Sequence, residues 1–245
     1  MYLIIMKQKI NSSNYIKEIQ GVFKRSPLAY FNISDIVDQL NQFKENASKL
    51  LEDKDYYKAA CIYKGLIEKS IEHLDYLEDR EGKMGGFLFE LFSLYSNTLQ
   101  EFEWDEQDFF EETVELYIKE EFGFATEIIK LLIVNVNRDN YNVLETILKR
   151  EIKKRTSTYE RDKLVDPLLR MYNHLGEDRK YLDSCELYST QAWERYDNAA
   201  TKYEQMGFIE QAVKAYEEGI ASSEHYKNLL EGKLSQLKSR ILGFN

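Results

Sequence analysis

Apolar and polar positions alternate along this chain with a helical period from near its start to near its end. The pattern is clearest at residues 196–221, YDNAATKYEQMGFIEQAVKAYEEGIA, where Met206-Gly207 separates two runs. Ala199, Ala200 and Tyr203 share a face in the first run; Ile209, Ala212, Val213, Tyr216 and Ile220 recur three or four residues apart in the second. Such spacing predicts two amphipathic helices, and Gly207 supplies the tight turn between them. Alanine at 200 and 212 lets the helices approach closely, and Tyr203 and Tyr216 fill the ends.

The same period predicts helices elsewhere. A short one starts at Asn11, with Ile16, Ile19 and Phe23 on one face, and Ser26-Pro27 breaks it. A helix from Ser34 to Glu52 turns at Asp55-Tyr56 into another carrying Ala59, Ile62, Tyr63, Leu66 and Ile67. After a break at 80–86 come helices through Phe87–Leu99 and from Asp105, a good N-cap residue. ATEIIKLLIVNV, at 125–136, is rich in β-branched residues, but its place between helices favours a buried helix. Helices then follow from Asn140 to Lys154, from a cap at Thr158 through Leu164, Leu168, Leu169 and Tyr172 to Gly176, and over 224–241. Pro167 means that the middle one either kinks or, the favoured reading, starts near Asp166 with Pro167 as its first helical residue. About twelve helices result, with no strand.

Ala59 and Tyr63 stand 153 residues before Ala212 and Tyr216, and Gly176 stands 31 before Gly207. These offsets suggest an internal helix-pair repeat, with Lys54 in place of the turn glycine. The spacing Y-x3-G-x4-A-x3-Y resembles the tetratricopeptide repeat. The expected fold is all-α, a right-handed superhelix of antiparallel helix pairs like tetratricopeptide repeats. Residues 1–30 form a basic N-terminal segment, and 31–245 a single helical repeat domain with soft points near 79–86 and 155–158.

Composition narrows the function. Only two prolines and 11 glycines occur in 245 residues, which suits helices with short connections. A net charge of −10 argues against general nucleic-acid binding. No run reaches the roughly 20 apolar residues of a membrane span. MYLIIM is too short for a secretory signal, so a cytoplasmic location is expected. Cys61 and Cys185, the two cysteines, exclude a disulfide framework and a thiolate-rich zinc site. Cys61 is expected to project away from the stripe of its helix.

Several segments recur in order: LLEDKDYYKAACIYKGLIE at 50–68, DREGKMGG at 79–86, LYIKEEFGFATEIIKLL at 116–132 and LLRMYNHLGEDRKYLDSCELY at 168–188, followed by the run at 196–221. Over roughly residues 15–225 this series resembles the helical C-terminal region of prokaryotic proteins with a SWIM-type zinc finger. The finger needs C-x-C followed by C-x-H, which two isolated cysteines cannot supply. The resemblance therefore implies a stand-alone helical module, and carries no catalytic residue with it.

His73, His174 and His225, in separate helices, form no metal or nucleophile motif, and the sequence contains no phosphate-binding or dinucleotide-binding glycine motif. No cofactor and no metal are expected. Ten acidic residues between 101 and 121, against Lys119 alone, read as a solvated face. Lys149, Arg150, Lys153 and Lys154 reverse the sign of an acidic protein, with Lys149 and Lys153 opposite the apolar stripe of their helix. They are the candidate partner-binding residues. The expected function is a non-catalytic adaptor or scaffold for a protein or peptide. The alternatives are an enzyme or small-ligand binder whose site is assembled from distant helices, and a nucleic-acid accessory protein.

Overall fold

The computed structural model describes residues 9–25, 33–77, 79–188 and 192–242. The MYLIIM opening and the Ser26-Pro27 break lie outside them. Among the described residues the chain is all-α, with twelve α-helices and no strand. It divides into two compact units, residues 1–144 and 145–245.

The first unit contains α1 (Ser13–Arg25), α2 (Ile33–Glu52), α3 (Tyr56–His73), α4 (Lys83–Leu99), α5 (Glu106–Lys119), α6 (Ala125–Val134) and the start of α7 (Tyr141–Lys154). Helix α3 is its centre, packing on α1, α2 and α4, while α4 also packs on α2 and α6, and α5 on α6. Enclosed in this way, α3 buries Ala59 through Leu66 without interruption. Cys61 is therefore buried rather than projecting away, because α3 has no solvent face at that point. The β-branched segment is helical as α6, burying Ile128, Ile129, Leu131 and Leu132.

The second unit holds the rest of α7, α8 (Thr158–Leu175), α9 (Asp178–Tyr188), α10 (Ala192–Gln205), α11 (Ile209–Ser222) and α12 (Lys227–Leu242). From α8 onward each helix packs on the next in chain order. Helix α8 starts at Thr158 and continues through Pro167, a correction to the favoured start at Asp166. Burial of Leu164 and Val165 before the proline and Leu168 and Leu169 after it outweighs the one backbone hydrogen bond lost there. Ala200, Ala212 and Tyr216 form a core with Leu230, Leu234 and Leu237, against which Tyr203 packs half-buried. A Cβ on Gly219 would lie 2.9 Å from Leu230 Cδ1 and 2.9 Å from Tyr196 Cβ, so only glycine permits this approach of helices.

Three junctions end the same way. Lys54, Gly176 and Gly207 are left-handed, with φ of 60°, 71° and 78°. At each, the next residue donates its N–H to a carbonyl five residues back: Asp55 to Leu50, Glu177 to Tyr172, Phe208 to Tyr203. The left-handed residue donates three back, to Leu51, Asn173 and Glu204, which completes a Schellman cap. Ala59 and Tyr63, like Ala212 and Tyr216, are buried in the helix after such a cap.

Lys54 holds a conformation that disfavours side chains with a Cβ, so Lys54→Gly should raise unfolding free energy by about 0.5–1 kcal/mol. Gly207→Ala should lower it by about 1 kcal/mol. Urea unfolding of the two variants checks both signs.

Candidate functional site

The first unit contains a cleft of about 590 Å³ whose walls come from α3 and α5. Phe92 and Tyr95 of α4, Phe109 of α5 and Leu131 of α6 supply apolar surface to it. The α5–α6 turn is built around Glu120, a buried carboxylate that accepts the N–H groups of Phe122 (2.5 Å) and Phe124 (2.8 Å). That turn sends Phe124 into the core and leaves Phe122 at the cleft, 38% exposed.

One lysine organises the charges. Lys64, 9% exposed, donates to the Ile10 carbonyl (2.8 Å) and to Glu112 of α5, and lies 3.8 Å from Glu68. Glu68 also accepts from Ser12 Oγ at 2.9 Å. Burial pushes the Glu68 carboxyl above its usual range, and Glu112 adds to this against the pull of Lys64 and Ser12. Burial likewise pushes the Tyr95 phenol well up, helped by Glu112 and Glu68. The sequence placed Lys64 within a helix and Glu112 on a solvated acidic face. A lysine enclosed by Ile62, Tyr63, Leu66 and Ile67 was the available signal for a buried ion pair.

The candidate cations are all on α7, and carboxylates of the same helix meet most of them. Lys149 pairs with Glu145 (2.5 Å), while Arg150 (3.0 Å) and Lys154 (2.7 Å) converge on Glu151; Lys153 is exposed. Lys149 is not opposite the packed face as expected. Its ammonium stands 5.9 Å from the Tyr172 ring centroid, because Glu145 draws it and Lys180 (2.8 Å) over that ring together. The buried Tyr172 hydroxyl faces Glu145 and Ser184 without a well-formed hydrogen bond. Burial works to raise the Glu145 carboxyl, but the groups around it, Lys149 first, hold it below its usual range.

Neither cysteine is poised as a nucleophile. Burial pushes the Cys61 thiol up, and Cys185 up to about 12. His73 closes α3 and His174 lies in α8, but His225 sits in the turn before α12 rather than in a helix. Among the described residues no group of three or more His, Cys, Asp or Glu is placed to hold a metal ion. None of their helices is long and apolar enough to cross a membrane.

Compared with protein-family models, curated proteins and solved structures, the chain matches none.

Lys64→Ala should cost about 2–3 kcal/mol, since it strips a charged hydrogen-bond donor from the buried Ile10 carbonyl and the part-buried Glu112 carboxylate; thermal and urea unfolding measure this. Glu145 titrates below its unfolded value of about 4.3, so its contribution is complete above that pH and disappears as pH falls through the folded value. Glu145→Gln should accordingly flatten the acid limb of the stability–pH curve. Both thiols should react with a chromogenic disulfide reagent at neutral pH only after denaturation.

Proposed function

We propose that this chain is a non-catalytic helical-repeat adaptor that holds a protein or peptide partner. In this reading its helix pairs stack as in a tetratricopeptide superhelix, and the resemblance to the helical region of SWIM-finger proteins describes a module working without its finger. The shared Schellman junctions, and the packing of successive helices on one another from α1 to α4 and from α8 to α12, support it. The observation that carries it is the cleft beside α3 and α5, an apolar surface with charged residues around it. Such a surface suits recognition of a folded or folding segment.

The cleft is a better docking place than the α7 cations, since Glu145 and Glu151 already offset much of their charge. The rival reading, an enzyme or small-ligand binder, draws on Lys64, Glu68 and Glu112. It is the weaker one, because Lys64 is committed to Ile10 and Glu112 as a structural cation.

Affinity capture from native lysate with the wild-type chain and with Leu116→Arg, which puts a charge on the cleft lining, tests the proposal. A stoichiometric protein partner retained by the wild type and lost by the variant is the expected result. Retention of no protein by the wild type would sink the adaptor reading, and equal retention by both would move the site elsewhere.

A further inference from the structure

Five carboxylates line the cleft, Glu68, Glu72, Asp75, Glu112 and Glu115, against three lysines. Each lysine is already engaged within the same lining: Lys64 with Glu112, Lys69 with Glu72, and Lys119 with Glu115 at 2.5 Å. An acidic excess therefore surrounds the apolar surface. Asp75 is exposed, and Glu68 accepts a hydrogen bond from a neutral hydroxyl while Lys64 stays 3.8 Å away. Aromatic surface continues outward at Phe122, and the unit also exposes Phe89, 48% accessible and tilted against Phe124 with ring centroids 5.3 Å apart.

From this juxtaposition we propose that the cleft between α3 and α5 docks a basic amphipathic helix of a partner protein, apolar side chains inward and Lys or Arg side chains on the carboxylates. The inference rests on the adaptor reading and names its partner class. An added strand would have no sheet edge to join in these all-α surroundings, whereas a helix satisfies its own backbone and needs only side-chain contacts. A second copy of this chain is a poor occupant, because two molecules of net charge −10 repel one another. Opposite charge on the partner speeds encounter and sets orientation, while the aromatic surface supplies desolvation.

Fluorescence anisotropy with the full chain and four labelled probes tests this. The probes are a basic amphipathic helix, an acidic helix with the same apolar stripe, a scrambled peptide of the basic composition, and spermine. The basic helix should bind at least about ten-fold tighter than each of the others and weaken as salt rises. The double charge reversal Glu72→Lys with Asp75→Lys should weaken it about ten-fold, and Phe122→Ala should weaken it without changing the salt dependence. Circular dichroism confirms that both variants remain folded. Equal binding of the scrambled peptide or of spermine, tighter binding of the acidic helix, or absence of binding overturns the proposal. Sedimentation showing that the chain occupies the cleft by self-association does so as well. If the basic helix fails while lysate capture still yields a partner lost in Leu116→Arg, this inference falls and the adaptor reading stands.

Discussion

An ammonium group inside a helical core is costly unless acceptors surround it, and the first unit is arranged around one such group. Lys64 lies on the most enclosed helix, where neighbours on three sides leave little room for water. It donates to the Ile10 carbonyl ahead of α1 and to Glu112 on α5, and the Glu68 carboxylate stands 3.8 Å away, one turn along α3. That requirement draws the segment before α1 against α3 and positions α5 opposite it. Because α5 packs on α6 and meets Lys64 through a long side chain, the α3 and α5 walls are linked by charge across a space. The cleft lies between those two walls.

The second unit solves its packing with small residues and tyrosines. Ala200, Ala212 and Gly219 admit close helix approach, and Tyr216 fills the remaining volume while its hydroxyl donates to Glu204 at 2.8 Å. Glu204 also takes a guanidinium from Arg240, and Lys233 holds Asp197 at 2.6 Å, so α12 is tied to α10 by ions over an apolar core. Tyr172 is used differently, its ring serving as a platform for two ammonium groups that share the Glu145 carboxylate. A ring face attracts cations, and the carboxylate between them relieves their repulsion. The phenol in each case brings apolar area with one polar end.

The helices themselves were legible from periodicity, as were the Asp105 cap and the left-handed turns at Gly176 and Gly207. These features depend on residues within a turn or two of each other, and local sequence contains that information. Lys54 shows the limit even there: a lysine took the left-handed position because two Schellman hydrogen bonds hold the turn. Pro167 shows it again, since burial on both sides keeps α8 continuous through a residue that locally argues for a boundary.

Which residues form the candidate site was settled by tertiary structure. Sequence drew attention to the α7 cations because four like charges cluster there, but charge along a chain does not reveal which carboxylate sits beside each one. Glu145 and Glu151 supply those neighbours, and Lys149 turns inward over a ring on another helix. Lys64 and Glu112, 48 residues apart, carried no mutual signal. Sequence by itself determined that this is an all-α chain of amphipathic helices, because helical period and capping are short-range. Only the tertiary structure decided that a buried lysine and an acidic helix enclose a cleft, because ion pairing and enclosure depend on which distant faces meet.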